Sequence, residues 1–273
     1  MKANGKLMLY NAKELTITIN QTDFDYIKFG RGKRALIMIQ GLNTGSFKGM
    51  SLPLAYMYRI FAKEYTVYLF DRRPKLESGI TVRDFASDIA DAMDALGISK
   101  ADVLGVSQGG MIAQYLAIDR PDLVNKIVLA LTLSKNNNTA TEAIDKWVSL
   151  TRKGDMRGLI VDMAEKMYSE KYMKLYRPLL PLLTEMQKPR DVERFILLAE
   201  SCLTCSAYDE LHKINCPVMV IGAECDKIVG PDASREIAER MQCELYMYKN
   251  LGHAAYEEAS DFNRRVYDFF QKS

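Results

Sequence analysis

The chain opens on period-two alternation. Leu15-Thr16-Ile17-Thr18-Ile19-Asn20 and Tyr26-Ile27-Lys28-Phe29 place apolar side chains on one face and polar ones on the other, which predicts an antiparallel hairpin. The pattern then changes to unbroken apolar runs, Ala35-Leu36-Ile37-Met38-Ile39 and Val67-Tyr68-Leu69-Phe70. Such runs are expected of strands covered on both faces in a mostly parallel sheet. Helical segments are predicted over 56–63, 82–96 and 108–119, between strands ending near Gln40, Phe70, Gly105 and Ala130. That alternation predicts an α/β fold, a mostly parallel doubly wound sheet that opens with an antiparallel hairpin.

From about 134 to 208 no strand pattern recurs, and helical stretches at 143–151, 157–168 and 192–202 follow one another. Thr139 and Glu142 have the spacing of a capping box at the first of them. The rhythm resumes at 218–221 and 244–248, with a helix over 232–241 between them. Ala259, Phe262, Val266, Phe269 and Phe270 recur at three and four as the apolar face of a closing helix. The expected organisation is a core of residues 1–133 and 209–273 with a helical cap, 134–208, inserted before the last two strands.

Composition narrows the function. Of 273 residues, 48% are hydrophobic and 26% charged, values of a chain that folds and buries a core. The 37 basic and 35 acidic residues leave a net charge of +2, too weak a field to draw nucleic acid or an anionic membrane as the main partner. Five cysteines, an odd number, argue for reduced thiols. Cys202 and Cys205 have a metal-like spacing, but with no second pair and only two histidines in the chain they read as helical residues, so neither metal nor cofactor is expected. The start, Met1 to Lys6, leads into no long apolar stretch; the expectation is a cytoplasmic enzyme.

In open α/β sheets, functional side chains gather at the carboxyl ends of the strands. Gly105-Val106-Ser107-Gln108-Gly109 follows a strand and opens a helix, placing Ser107 on a sharp turn, as a nucleophile requires. A serine hydroxyl needs a base to take its proton. Of the two histidines, His212 precedes a strand at the wrong end of the sheet, whereas His253 follows the last strand. A carboxylate must orient that ring; the loop after the strand at 218–221 offers Asp226, with Glu224 as its nearest competitor. Backbone N–H groups of Gln108, and of Leu42 beside Gly41, have the right position to hold an oxyanion.

These motifs together resemble the α/β-hydrolase superfamily, in its serine-hydrolase branch with a helical cap. The resemblance runs from about Tyr26 to Phe270 and rests on the Gly105–Gly110 elbow, Pro121, Ile214-Asn215-Cys216-Pro217, the Asp226 loop and Gly252-His253. Nucleophile, acid and base stand in the family's order. Two stretches depart from it: Gln40-Gly41 stands where the family has His-Gly, and Asp71-Arg72-Arg73-Pro74-Lys75-Leu76 replaces a glycine-rich Asp-x-Arg-Gly-x-Gly. The resemblance implies a cofactor-independent hydrolase of a small ester or related acyl substrate. It expects Ser107, His253 and Asp226 in catalysis, with Trp147, Tyr168 and Tyr172 lining the acyl pocket. Cleavage or lysis of a carbon–carbon bond by the same three residues, or silent binding of a small ligand, are the alternatives.

Overall fold

Strands β1 (Lys13–Ile19) and β2 (Thr22–Gly30) pair antiparallel with Leu15 opposite Tyr26 and Ile17 opposite Phe24, as their alternation requires. Asn20 and Gln21 turn the chain with φ of 50° and 64°, the left-handed pair whose twist matches that of the flanking strands. The computed structural model describes residues 9–272; the stretch Met1 to Lys6 lies outside them. Six further strands follow: β3 (Arg34–Ile39), β4 (Tyr65–Phe70), β5 (Ala101–Val106), β6 (Val124–Ala130), β7 (Val218–Ala223) and β8 (Glu244–Tyr248). The sheet order is β1-β2-β4-β3-β5-β6-β7-β8. β2 meets β4 antiparallel, and every pairing from β4 to β8 is parallel.

The unbroken apolar runs are buried because helices cover both faces. On one face, α2 (Val82–Ala95), α3 (Gln108–Asp119) and α9 (Pro231–Met241) bury Phe85, Ile112 and Ile237. On the other, α1 (Ser51–Met57) and α11 (Phe262–Gln271) bury Ala55, Phe262, Val266 and Phe270. Between β6 and β7 come five helices, α4 (Asn138–Arg152), α5 (Met156–Met167), α6 (Glu170–Tyr176), α7 (Leu180–Gln187) and α8 (Val192–Cys202). The two ends of this insertion meet where Lys135 bridges Ser206 and the Ser134 carbonyl accepts from the N–H groups of Ala207 and Tyr208. No helix among the described residues is long and apolar enough to cross a membrane.

Three local expectations are corrected. The helix placed at 56–63 is α1, which starts at Ser51 and gives way to a tight turn over Arg59–Phe61; Pro53 falls in its first turn, where no N–H is needed. The helix placed at 143 starts at Asn138, and its cap is Asn137, whose side chain accepts from the N–H of Ala140, not Thr139 with Glu142. Ala259 lies outside the closing helix, in the break between the single turn α10 (Ala255–Glu258) and α11.

Candidate active site

Strand order reverses at β3, which lies between β4 and β5, so the loops leaving β3 and β5 diverge and open a crevice at the strand ends. Ser107 is the single residue between β5 and α3, with φ 55° and ψ −123°, a conformation costly for a residue with a Cβ. Its N–H donates to the Ala130 carbonyl at 2.9 Å, and its own carbonyl accepts from Gly110 N at 2.8 Å and Thr132 Oγ1 at 2.7 Å. The two glycines that flank it are sterically required. A Cβ on Gly109 would sit 1.9 Å from the Ile39 carbonyl oxygen, and one on Gly105 would sit 2.5 Å from that of Gly109.

His253 follows β8. Its Nε2 is 2.8 Å from Ser107 Oγ, and its Nδ1 is 2.8 Å from Asp226 Oδ2. Both His253 and Asp226 are buried. The other carboxylate oxygen, Oδ1, accepts from the N–H groups of Ile228 at 2.8 Å and Val229 at 3.0 Å. Burial pushes the Asp226 carboxyl up, but the His253 ring and those two amides outweigh it and hold the group below its ordinary value. Glu224, its competitor in the sequence, pairs with Arg235 instead. His212 is exposed, with Nδ1 2.8 Å from the Asp209 carbonyl, and belongs to the opposite end of the sheet. The His253 loop is fastened to the insertion, since Ala254 N donates to the Met167 carbonyl at 2.8 Å.

Leu42 and Gln108 stand on the two loops that meet at Ser107. A Cβ on Gly41 would lie 3.1 Å from Ser107 Cβ, which brings the β3 loop against the elbow, and Gln108 heads α3. A cavity of about 50 Å³ opens over Ser107 and His253, and its walls include Leu42, Met111, Ile144, Met163, Met167 and Ile228. Trp147 also lines it, held by a 2.9 Å hydrogen bond from Nε1 to Asp162 Oδ2. Tyr168 and Tyr172 do not line it. Tyr168 follows the end of α5 in extended backbone; its half-buried ring stacks on Tyr172 at 5.2 Å and its hydroxyl donates to Glu257 Oε2 at 2.7 Å.

The structure adds a residue that the sequence did not single out. Arg72, buried behind the elbow, donates from Nη2 to the Gln40 carbonyl at 2.8 Å and to Gln108 Oε1 at 3.2 Å. Gln108 Nε2 in turn donates to the Leu198 carbonyl at 2.8 Å and Ser201 Oγ at 3.0 Å. One guanidinium thus ties the β3 loop to the elbow, and the elbow to α8. Burial pulls its pKa down to about 10, opposed by Asp71, so it stays charged at neutral pH. No periodicity signals such a role, because a buried arginine next to a strand end reads as a surface charge. The methionines of the cavity wall are equally silent, being indistinguishable from core residues at helical spacing.

A hydroxyl, an imidazole and a carboxylate in one hydrogen-bonded series suit transfer of a proton off the hydroxyl. The comparisons with known proteins point the same way. A family model described as alpha/beta hydrolase fold matches residues 34–260. The chain is 27% identical to a 2-hydroxy-6-oxononadienedioate/2-hydroxy-6-oxononatrienedioate hydrolase of Dechloromonas aromatica, covering 98% of this chain and 99% of that one. It is 24% identical to 3-oxoadipate enol-lactonase 2 of Acinetobacter baylyi over 78% and 79% of the two chains. Among solved structures, an alpha/beta hydrolase enzyme from a Medee basin deep-sea metagenome library superposes with a TM-score of 0.84 at 22% identity, over 95% of this chain and 98% of that one. The enol-lactonase of Burkholderia xenovorans gives 0.80 at 20% identity, over 94% and 100%. The match to the family model over most of its length, with relatives named as hydrolases, means that this chain belongs to the alpha/beta hydrolase fold family and is a hydrolase enzyme.

Proposed function

We propose that the chain is a serine hydrolase that cleaves small, neutral carboxylic esters through an acyl-enzyme. Ser107 Oγ attacks the acyl carbon as His253 Nε2 takes its proton, and the ionised Asp226 carboxylate steadies the imidazolium that results. The N–H groups of Leu42 and Gln108 hold the oxygen that becomes negative. His253 then returns the proton to the departing alcohol, and water, deprotonated by the same ring, releases the acid and restores Ser107. The insertion of residues 134–208 serves as the cap that closes the acyl site. The observation that carries this reading is the unbroken series from Ser107 Oγ through His253 to Asp226, with 2.8 Å at each link.

Size supports an ester with a short acyl part over the carbon–carbon substrates named for some relatives. A cavity needs on the order of 150 Å³ to take a benzene ring, and the one over Ser107 offers about 50 Å³. An acetyl or propionyl group suits it; a phenyl or a long dienoate does not. The named walls are apolar, and that lining favours an uncharged acyl group over one that ends in a carboxylate.

The deciding experiment is hydrolysis of 4-nitrophenyl esters of graded acyl length by the wild type and by Ser107→Ala. The expected outcome is a kcat/KM maximum at two to about four acyl carbons, with Ser107→Ala slower by about four orders of magnitude. Ser107→Ala is also expected to lose labelling by a fluorophosphonate. Turnover by Ser107→Ala within tenfold of wild type overturns the assignment of the nucleophile, and a maximum at eight carbons or more overturns the substrate class.

A further inference from the structure

The stretch Asp71 to Leu76, which stands where the family has a glycine-rich turn, follows the carboxyl end of β4 and holds the β3 loop at two points. At one, Arg72 Nη2 donates to the Gln40 carbonyl at 2.8 Å. At the other, Asp71 Oδ2 accepts from the N–H of Phe47 at 3.3 Å. We propose that Arg72 is the positioning residue of the oxyanion hole: one nitrogen, Nη2, shared between the Gln40 carbonyl and the Gln108 side chain, sets the spacing of the Leu42 and Gln108 N–H groups. The proposal rests on the serine-hydrolase reading above for the two donors, and on the hydrogen bonds for the bridge.

The β3 loop cannot order itself. Residues 40–50 contain neither helix nor strand, and Gly41, between Gln40 and Leu42, has no Cβ to restrict its backbone. The peptide plane that carries the Leu42 N–H is therefore set by what the loop touches. The Gln40 side chain is no anchor, since its Nε2 is buried without a hydrogen-bond partner. Its carbonyl is the fixed point. That oxygen lies against the elbow, 2.6 Å from where a Cβ on Gly109 would stand, and Arg72 holds it there.

Arg72 is itself held still. Its guanidinium carbon lies 5.5 Å from the centroid of the Phe85 ring, its N–H donates to Asp71 Oδ1 at 2.8 Å, and its carbonyl accepts from Arg194 Nη2 of α8 at 3.2 Å. Its Nε and Nη1 are buried without partners, so the hydrogen bonding of this side chain goes entirely to Gln40 and Gln108. At the far end, Gln108 Nε2 donates to the Leu198 carbonyl and Ser201 Oγ, which fixes the amide that Nη2 meets. A planar guanidinium suits the task, because its donors keep a set geometry that an ammonium on a flexible stem does not. Oxyanion donors act only where the negative oxygen will stand, so displacing one lowers the rate without weakening substrate binding.

Paired kinetics of 4-nitrophenyl acetate and its thiono analogue, in which sulfur replaces the carbonyl oxygen, test this. Sulfur is larger and a weaker hydrogen-bond acceptor, so a hole spaced for oxygen favours the ester. The ratio of the two kcat/KM values reports that spacing whatever fraction of the protein is folded. Arg72→Met is expected to lower kcat for the acetate by about tenfold to about a hundredfold, with KM within about twofold, and to lower the oxygen-to-sulfur ratio by about tenfold. Gln108→Met, which breaks the bridge at its other end and leaves the guanidinium in place, is expected to lower the ratio as well. A wild-type ratio in Arg72→Met, or in Gln108→Met where Arg72→Met does not fold, overturns the positioning role however far kcat falls, and so does a raised KM with kcat unchanged. The two readings fail distinguishably. An unchanged ratio on Ser107-dependent turnover removes the positioning role alone, whereas a wild type without Ser107-dependent turnover removes the serine-hydrolase reading and the positioning role with it.

Discussion

Ser107 occupies backbone angles that cost about 1–3 kcal/mol, and its neighbours hold it there by leaving no room for any other arrangement. Gly109 is the clearest case, because a Cβ there meets the backbone carbonyl of Ile39 at 1.9 Å, and a strand in mid-sheet has nowhere to move. Gly109→Ala is therefore expected to cost at least about 2 kcal/mol, read as a fall in the urea midpoint; an unchanged midpoint contradicts the packing argument. At this scale much was legible. Ser107, His253 and Asp226 stand at strand ends in the chain, and all three meet in space. Separating Asp226 from Glu224 required three dimensions, since only the fold shows Glu224 turned toward Arg235. Arg72 and the placing of Tyr168 against Glu257, away from the cavity over Ser107, were illegible for the same reason: burial and side-chain contacts depend on what packs around a residue, not on its neighbours in sequence.

Elements were read best where pattern and punctuation agreed. α2 and α8 fall within a residue of the expected bounds, and α2 carries a true capping box, Thr81 with Asp84. α4 was misread because Thr139 and Glu142 mimic that box two residues too late. Asn137 does the capping, and its Nδ2 also donates to the Val229 carbonyl at 2.8 Å, which ties the insertion to the Asp226 loop. Asn137→Ala is expected to destabilise the protein by about 1–2 kcal/mol, while Thr139→Ala changes stability by less than about 0.5 kcal/mol. Chemical unfolding of the two variants side by side checks the contrast, and equal losses refute the assignment of the cap. α6 and α7 escaped the reading because Pro178 and Pro181 break their periodicity, although a proline is tolerated in the first turn of a helix.

For the molecule as a whole, the buried, hydrogen-bonded Asp226 carboxylate makes stability depend on pH. The folded-state pKa of Asp226 lies below its ordinary 3.8, so its contribution is fully present above that value and is lost as pH falls through the folded value. The unfolding free energy of the wild type is thus expected to fall more steeply than that of Asp226→Asn between about pH 5 and about pH 2. Urea titrations across that range measure it, and parallel curves exclude the depressed carboxyl. Asp226→Asn should meanwhile lower kcat by about four orders of magnitude at neutral pH.

Periodicity, turn residues and chain order were enough to predict a mostly parallel sheet, helices on both of its faces, a helical stretch between its sixth and seventh strands and three candidate catalytic side chains at strand ends. Each of those follows from interactions between residues close in sequence, or from the rule that ligands collect where strand order reverses. Cavity volume, the guanidinium that joins two loops and the contact of Tyr168 with Glu257 arose only on packing. Each is set by side chains that lie tens or hundreds of residues apart and become neighbours only when the sheet closes under its helices.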